Sequence, residues 1–411
     1  MSPVTTATTV PSESPSSTAS ADLVDLLGAP LNGFAAIDPV TGDVHEIWLG
    51  SDRMWDIDVY PELTPGRDAV WLSWDNSTGE SVRFDLDGNE VTRVPGVWAD
   101  ESPDGSVVLY YTLPADGSRH LIAQYADGTV DLGEACCGVA RDDGRIAFLG
   151  AFTARGQSLL MYDPATDETW VVTEGVGRPG KDGVIYPHWS ASGRFIFDYS
   201  FDETDPAQSY WIIADTETRE VTTGTVERYW QRGPQGEEWL GEVVDGDLVY
   251  RDAVTGDEVL HLSLPDASIV YGRDLGGAIE VTTGRRTDRF GIEAEHRIVF
   301  DLEGNEVRRW EWLWAVTMTP HGLAAIHGEN QTNCQAIEVE HPLFRGTLDC
   351  DADLFQWSPN GRFLAYRTTG QVHLLDLSTG ETRSYRAGGR TPWIEWNHDG
   401  SRLVLRFGGG I

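Results

Sequence analysis

A glycine-centred turn recurs nine times along the chain, and this repeat restricts the possible folds more than any other feature. The glycines follow one another at intervals of 39 to 49 residues, at Gly66, Gly105, Gly144, Gly193, Gly236, Gly276, Gly322, Gly361 and Gly400. A period of this length is typical of repeat architectures in which each copy is one supersecondary unit. In the clearest copy, Leu354–Tyr385, three turn sequences separate four short strand-like segments. The sequence therefore predicts a four-stranded antiparallel meander for each repeat.

The strand pattern within this copy indicates which type of repeat is present. The predicted strands are Leu354–Trp357, Phe363–Tyr366, Val372–Leu375 and Glu381–Tyr385. The second strand is continuously apolar, as expected for a strand covered on both faces, whereas the last is polar and suits an edge in water. Meanders with these properties are the blades of a β-propeller. We therefore predict an all-β fold, a single closed β-propeller of four-stranded blades, with nine repeats counted and eight as the alternative.

A second recurring hairpin predicts how the ring closes. It appears eight times, from DPVTGD at Asp38 to DLSTGE at Asp376, and His341–Gly346 is a longer ninth copy. The glycine-centred turn is the first turn of each repeat, and this hairpin is the third. Along the chain a third turn comes before any first turn, and a first turn comes after the last third turn, so each end supplies half a blade. The outer half would be Gly33–Ile37 with His45–Leu49, and the inner half Trp393–Trp396 with Arg402–Phe407. We expect the two halves to form one shared blade.

Four copies of the first turn carry a family resemblance. They read WSPNGRFLAY at Trp357, WNHDGSRLVL at Trp396, HWSASGRFIF at His188 and ESPDGSVVLY at Glu101. These motifs resemble the repeats of TolB-type, WD-like β-propellers, over about Gly33 to Phe407. The resemblance implies the fold and leaves the function open, because the shared residues are turn and core positions. Nine repeats exceed the usual ring of that family.

Charge and the N-terminal sequence restrict partners and location. The 411 residues carry a formal net charge of −36, which repels nucleic acid and anionic membranes. No stretch of about 18 apolar residues predicts a transmembrane segment.

Residues 1–30 are rich in serine, threonine and proline and lack an apolar signal core, so we expect a disordered stalk there, and the propeller over residues 31–411. Such a stalk favours an extracytoplasmic protein that is periplasmic, secreted or anchored through it.

The long connections predict a binding face. Second turns and the connections between blades share one face of a propeller, and the long ones are Gly150–Gln157, Ser200–Ser209, Gly284–Glu295, Gly328–Asn333 and Gly175–Gly183. Long loops on a rigid scaffold are where binding residues concentrate. The candidate ligand-binding residues on this face are Arg178, His188, Asp202, Arg285, Arg286 and Arg289. Arginine forks suit a carboxylate or sulfate ligand, and the alternative is that these cations only neutralise neighbouring acids.

No motif in the sequence predicts catalysis. There is no G-x-S-x-G nucleophile elbow, and the ten histidines have no zinc spacing. The DLDGNE and DLEGNE turns at Asp85 and Asp301 lack the ligand positions of a calcium loop. We therefore expect no metal and no cofactor, and favour a binding or scaffold module over an enzyme. We expect a monomer whose partner is a protein or a small anionic or sugar-like ligand.

Four cysteines give two further expectations. Cys334 and Cys350 flank a predicted hairpin at equal distances from Pro342, so a disulfide between them is expected, together with an oxidising compartment. Cys136 and Cys137 are adjacent, follow a predicted blade-to-blade connection at Asp131–Ala135, open an innermost strand beside the channel, and are candidate ligand-binding residues. They are expected to be separate thiols or, if oxidised, bonded to each other. Gly138 would leave room for a ligand to approach the backbone.

The alternative function is a cofactor protein or enzyme that uses the central channel. The D-x-x-T-G hairpins resemble quinoprotein dehydrogenase repeats, and the resemblance implies that a Cys136–Cys137 ring could support a planar or sugar-like ligand. The sequence departs from that family because no tryptophan follows Gly256 or Gly380 at the expected spacing, and Trp48 follows Gly42 at a different one.

Overall fold

The computed structural model describes residues 32–50, 59–74, 79–112, 118–151, 153, 156–176, 182–183, 187–202, 210–224, 228–234, 236–264, 269–286, 292–311, 313–328, 336–387 and 392–407. These residues contain 36 β-strands and no helix. Within these ranges, therefore, there is no helical segment of the length and apolarity needed to cross a membrane. The predicted all-β class is confirmed for this part of the chain.

The strands pair with their sequence neighbours in antiparallel groups, which we call units. The first two strands are β1 (Asn32–Ile37) and β2 (Val44–Gly50). Unit 1 consists of β3 (Val59–Leu63), β4 (Ala69–Trp74), β5 (Ser81–Asp85) and β6 (Glu90–Val94). Unit 2 consists of β7 (Val97–Glu101), β8 (Val108–Thr112), β9 (His120–Tyr125) and the first part of β10 (Gly128–Ala140). Unit 3 consists of the rest of β10, β11 (Ile146–Gly150), β12 (Gln157–Asp163) and β13 (Glu168–Val176).

The remaining units follow the same order. Unit 4 has β14 (Asp182–Gly183), β15 (His188–Trp189), β16 (Phe195–Asp202), β17 (Tyr210–Asp215) and β18 (Val221–Gly224). Unit 5 has β19 (Arg228–Arg232), β20 (Glu238–Val244), β21 (Asp247–Asp252) and β22 (Glu258–Leu262). Unit 6 has β23 (Ile269–Asp274), β24 (Ile279–Arg286), β25 (Ile292–Phe300) and β26 (Glu306–Trp310). Unit 7 has β27 (Leu313–Thr319), β28 (Gly322–Gly328), β29 (Ile337–His341) and β30 (Phe344–Leu348). Unit 8 has β31 (Asp353–Trp357), β32 (Phe363–Thr368), β33 (Gln371–Asp376) and β34 (Glu381–Arg386).

The last two strands are β35 (Trp393–Trp396) and β36 (Leu403–Phe407), and they join the first two in one sheet. Its strand order is β2-β1-β36-β35, and β1 runs antiparallel to β36. We call this sheet the closing unit. It is the sheet that the staggered order of the turns predicts, assembled from strands at opposite ends of the chain.

The turn residues explain why the hairpins form where they do. In unit 8, the Gly361 amide donates to the Ser358 carbonyl at 2.8 Å, and Gly361 has φ of +67°. The Ser358 hydroxyl accepts the Phe363 amide at 2.8 Å, so a side chain completes the hairpin. The same bond recurs from Val107 to Ser102 and from Phe195 to Ser190. The serine and the glycine of the repeated motif are therefore structural.

One expected connection is absent. The sequence suggested that Asp131–Ala135 links two blades, but β10 runs without interruption from Gly128 to Ala140. Its first part pairs with β9 and its second part pairs with β11, so a single strand is both the outer strand of unit 2 and the inner strand of unit 3. Units 2 and 3 consequently form one seven-stranded sheet. Register shifts at Asp131–Glu134 and at Cys136–Val139 allow the strand to change partners.

Two predicted loops are shorter than expected because strands extend into them. In Gly284–Glu295, β24 continues to Arg286 and β25 begins at Ile292, with Arg286 opposite Ile292. In Ser200–Ser209, β16 continues to Asp202, which lies opposite Asp182 of β14. Strand pairing thus occupies part of each segment that the sequence assigned to a loop.

The core lies between the units. Among the described residues, nine hydrophobic clusters of buried side chains each join two consecutive units. Between units 1 and 2, for example, Trp71 stacks on Trp98 with ring centroids 6.1 Å apart. One cluster joins unit 8 to the closing unit, where Phe363 stacks on Trp396, and another joins the closing unit to unit 1. Apolar burial between neighbours is what stabilises a repeat protein.

Candidate functional site

The adjacent cysteines lie at a β-bulge at the start of the inner strand of unit 3. Cys136 is opposite Leu149, and Val139 is opposite Ala147, so the strand gains one residue between them. Within the bulge Cys137 has φ of +56°, a left-handed conformation that is uncommon for a side chain of this kind. Such a conformation persists only where the surroundings impose it, and it is found preferentially at functional sites. Neither cysteine is in a disulfide, and both are of intermediate exposure.

A buried glutamine holds the Cys136 sulfur. The Gln157 Nε2 donates to Cys136 Sγ at 3.1 Å and to the Gly150 carbonyl at 2.8 Å. Gln157 is 1% exposed, and its Oε1 has no hydrogen-bond partner among the described residues. A buried acceptor without a partner costs about 1–3 kcal/mol. The amide is therefore fixed through its nitrogen, while its oxygen remains available to a donor.

Tyr111 and Arg119 of unit 2 lie beside the two cysteines. The Cys137 amide donates to Tyr111 Oη at 2.7 Å, and the Arg119 guanidinium carbon lies 3.6 Å from the centre of the Tyr111 ring. Arg119 is exposed and forms no ion pair with any residue that the structure describes. We call Tyr111, Arg119, Cys136, Cys137 and Gln157 the dithiol site. Its residues flank the second turns of units 2 and 3, so it lies at the edge where the sequence predicted binding.

The surroundings favour a thiolate at Cys136. A hydrogen bond from the Cys137 thiol, the Gln157 amide and the positive charge of Arg119 together lower the pKa of Cys136 to about 7, although burial opposes them. Burial raises the pKa of Tyr111 above its ordinary value, so its hydroxyl stays neutral. The site thus combines a polarisable nucleophilic sulfur with an exposed guanidinium. It can attract an anion and can react with an electrophilic sulfur.

Gly138 does not have the predicted role. A Cβ atom at this position would lie 2.7 Å from Leu121 Cδ2 and 3.1 Å from Leu109 Cδ1. The glycine therefore faces the packed core between units 2 and 3, and no ligand can approach the backbone there. The reason for glycine at this position is close packing.

The other predicted site residues are spread over several units. His188 begins β15 of unit 4, opposite Phe197. Desolvation by the surrounding protein lowers the pKa of its imidazole. Asp202 ends β16 of the same unit. Arg285 and Arg286 end β24 of unit 6, three units from the cysteines, and Arg285 lies opposite Glu293. Arg178 and Arg289 lie outside the described residues, as do Cys334 and the predicted bond between Cys334 and Cys350.

Sequence reasoning missed three residues of the dithiol site. Tyr111, Arg119 and Gln157 belong to no motif, and Tyr111 and Cys137 are 26 positions apart. Only their positions beside the second turns of the repeats could have identified them. Tyr111 and Arg119 flank the second turn of one repeat, Gln157 ends the second turn of the next, and the cysteines begin the strand between them.

The aspartate carboxylates of the acidic turns accept hydrogen bonds from backbone amides of the same turn. Asp85 Oδ1 accepts the amides of Asp87 and Asn89, and Asp301 Oδ1 accepts those of Glu303 and Asn305. Within the described ranges, no group of three or more metal-binding side chains comes together. These carboxylates therefore stabilise their hairpins.

A separate cleft of about 510 Å³ opens between the first turns of units 5 and 6. Arg232, Asp274, Gly276 and Gly277 are among its lining residues. In most other places the first turns of consecutive units contact each other directly, as when the Asp104 amide donates to Asp142 Oδ1 at 2.9 Å. The cleft lies on the first-turn edge, opposite the dithiol site.

Comparison with known proteins identifies the fold. No protein-family model matches the sequence, and no curated protein matches it significantly. Among solved structures, a eukaryotic initiation factor shares 10% identity over 92% of this chain and 98% of its own, with a TM-score of 0.54. The Cps50 (Swd1) β-propeller domain from Myceliophteria thermophila shares 10% over 85% and 96%, with a TM-score of 0.34. BamB from Moraxella catarrhalis shares 13% over 76% and 94%, with a TM-score of 0.38.

At these identities the similarity extends to the fold alone. The similarity to the initiation factor covers most of both chains, and antiparallel four-stranded units that pack on one another, as here, are the blades of a β-propeller. The narrower TolB-type resemblance remains a prediction from the motifs, because no family model matches. The chain is therefore an all-β protein with a β-propeller fold.

Proposed function

We propose that this protein is a non-catalytic, extracytoplasmic binding module that recognises a small anionic, sugar-like ligand or a protein at its second-turn edge. The observation that carries the proposal is the dithiol site. There an exposed guanidinium, a buried amide oxygen that has no partner among the described residues and two thiols meet at one edge of neighbouring units. A propeller as such can be a scaffold for many activities, so the assignment rests on this site.

The scaffold of the proposal is a closed ring of nine blades. Two observations support this count and closure. When β10 is divided between units 2 and 3, the strands group into nine units, eight of four strands and one, unit 4, of five, and nine hydrophobic clusters link each unit to the next. The chain of clusters also returns from unit 8 through the closing unit to unit 1. A closed ring has no unpaired inner edge and would hold the dithiol site rigidly.

The chemistry of the site favours a ligand that carries both a carboxylate and hydroxyl groups. Arg119 is already oriented by its stacking on Tyr111, so it can bind a carboxylate with little loss of side-chain freedom. Gln157 Oε1 needs a donor, and a ligand hydroxyl could supply one. A sugar acid has both groups, whereas a neutral sugar lacks the anion and a simple carboxylate lacks the donor.

The extracytoplasmic assignment rests on two predictions from the sequence, the N-terminal stalk and the bond between Cys334 and Cys350. Mass spectrometry of the exported protein under non-reducing conditions tests it. Alkylation of Cys136 and Cys137 alone would support the assignment, and four alkylatable thiols would contradict it.

Titration calorimetry with a panel of sugar acids, neutral sugars and simple carboxylates tests the ligand. We expect sugar acids to bind, and Arg119→Gln to weaken binding at least ten-fold, since a charge-assisted hydrogen bond contributes about 1.5–3 kcal/mol. The matched control is Arg345→Gln, an exposed arginine on the outer strand of unit 7. Equal binding by the wild type and Arg119→Gln, with Arg345→Gln also unchanged, would contradict the proposed site.

The alternative, a channel-site cofactor protein of the quinoprotein type, would use a Cys136–Cys137 bond as a platform. Such a platform needs the bond, and in this structure the two cysteines are not bonded to each other, whereas the binding module uses Arg119 and Gln157 whether or not the bond forms. The binding module is therefore the proposal that we carry forward.

A further inference from the structure

The Cys136 sulfur has the surroundings of a reactive thiol. It is held by the Gln157 amide at 3.1 Å, it lies beside the adjacent Cys137 thiol, and it is only partly covered. An inert structural cysteine is usually buried in apolar surroundings, where burial keeps it protonated. Here, two hydrogen-bond donors and one cation converge on a partly exposed sulfur, so the geometry favours reaction.

We propose that Cys136 undergoes thiol–disulfide exchange with low-molecular-weight disulfides such as oxidised glutathione, and that Cys137 is the resolving thiol. This inference adds a chemical activity to the dithiol site and does not depend on which ligand the site binds. The second-turn edge would then have two states that differ in the covalent bond between Cys136 and Cys137.

The reaction balances in two steps. The Cys136 thiolate attacks one sulfur of the external disulfide RS–SR, which forms Cys136–S–SR and releases RS⁻, and this leaving thiolate takes a proton from water. The Cys137 thiol then loses its proton and attacks the Cys136 sulfur, which forms the Cys136–Cys137 bond and releases the second RS⁻. The two cysteines are oxidised by two electrons, and the external disulfide is reduced to two thiols.

The position of Cys137 fits the resolving role. Its thiol already donates to Cys136, so the two sulfurs lie on the same side of the strand despite being adjacent in sequence. The left-handed φ of Cys137 at the bulge is what brings the two side chains together. Adjacent Cα atoms are about 3.8 Å apart, less than the usual disulfide span of about 4.4–6.8 Å. The bond formed would therefore be strained and easily reduced, which makes the exchange reversible.

The groups that face Cys136 predict its reactivity. Among the described residues, the titratable and charged groups around it are Cys137, Arg119 and Tyr111. With a pKa of about 7 against 9.0 for an ordinary thiol, Cys136 is about half thiolate at pH 7. At pH 7 the thiolate fraction of Cys136 is about fifty-fold higher than that of an ordinary thiol. Because a less basic thiolate is also a weaker nucleophile, the expected gain in reaction rate is about six-fold.

The test mixes the reduced protein with oxidised glutathione at pH 7, stops the reaction with acid and alkylation, and maps the peptides. In the wild type we expect two glutathione thiols to be released per chain and the Cys136–Cys137 bond to form. Cys137→Ser should stop at a stable glutathione adduct on Cys136 with one thiol released. Cys136→Ser should lose the fast reaction. Gln157→Leu should slow it several-fold at pH 7 and move its pH profile upward.

Three outcomes would overturn the proposal. If Cys136→Ser reacted as fast as the wild type, Cys136 would not be the nucleophile. If the wild type kept a stable glutathione adduct, Cys137 would not be the resolving thiol. If both cysteines reacted no faster than an ordinary peptide thiol under the same conditions, the site would not activate a thiol at all. Circular dichroism of each variant shows whether it is folded before it is compared.

Discussion

Gly33 lies opposite Phe407 across the antiparallel strands β1 and β36, so residues near the two ends of the chain share one sheet. Five residue pairs connect these strands, ending with Ile37 opposite Leu403. The Arg402 guanidinium also contacts Asp38 Oδ2 at 3.2 Å, which fixes the third turn of the closing unit to its first turn. The closing unit is therefore the one place where loss of a chain end removes half of a sheet.

Deletion of Trp393–Ile411 should cause aggregation or loss of cooperative unfolding. The deletion removes β35 and β36, leaves β1 without its inner partner, and exposes the apolar residues of unit 8 that pack against these strands. Size-exclusion chromatography and thermal unfolding measure the effect. A truncated protein that stays monomeric and melts at the wild-type temperature would disprove the role of the closing unit.

Trp396→Ala should lower the free energy of unfolding by about 3–5 kcal/mol, the usual effect of truncating a buried aromatic residue. Trp396 is 2% exposed, stacks on Phe363, and donates from Nε1 to the Gln356 carbonyl at 3.0 Å. Trp393 begins the same strand but is 51% exposed, so Trp393→Ala is the control and should change stability by less than about 0.5 kcal/mol. Denaturant titration measures both values. Equal effects would contradict the packing between unit 8 and the closing unit.

Joint replacement of Arg285, Arg286 and Arg289 by serine tests the predicted cationic rim. We expect the melting temperature to change little, since exposed charges contribute little to stability. Binding of an anionic ligand should weaken strongly and show a steep dependence on salt if these residues take part. If the triple variant binds like the wild type while Arg119→Gln does not, this loop is outside the site and the dithiol site alone carries recognition.

Stability should fall as the pH is lowered from 6.5 towards 4, because of His341. This imidazole is 4% exposed, and burial together with the nearby His321 lowers its pKa to about 4. Between these pH values the unfolded chain binds a proton that the folded protein resists, so stability is full above 6.5 and declines below it. The shift corresponds to roughly 3 kcal/mol.

Thermal melts of His341→Gln across this pH range provide the measurement. The variant should have a flatter dependence on pH than the wild type, whatever its overall loss of stability. His398→Gln, at an exposed histidine in the first turn of the closing unit, should keep the wild-type slope. An unchanged slope in His341→Gln would show that another group determines the acid sensitivity.

The local structure was predictable because it depends on local chemistry. Gly361 with positive φ, the serine that accepts an amide across the turn, and the aspartate that accepts the amides of its own hairpin each act within about five residues. Predicted and observed strands in unit 8 consequently differ by only one or two residues at each end. The pairing of β1 with β36 was predictable for a different reason, since half-units at both ends of a repeat array can only complete each other.

The dithiol site was predictable only in part. The adjacent cysteines and their place at the start of an inner strand followed from the order of the turns. The continuous β10, the bulge and the left-handed Cys137 did not, because a strand that changes partners leaves no mark in the hydrophobic pattern. The close packing at Gly138 also could not be predicted from the sequence, since it depends on contacts with Leu121 and Leu109 of the preceding unit.

The sequence by itself determined the all-β class, the period of the repeat, the positions of the turns and the sharing of one sheet by both chain ends. These features follow from residues a few positions apart and from counting, so no long-range contact had to be known. Only the tertiary structure decided which side chains surround Cys136. Tyr111 lies 26 positions from Cys137, and Gln157 lies 21 positions from Cys136. Tyr111 reaches Cys137 because unit 2 packs on unit 3, and Gln157 reaches Cys136 because β10, β11 and β12 lie side by side within unit 3.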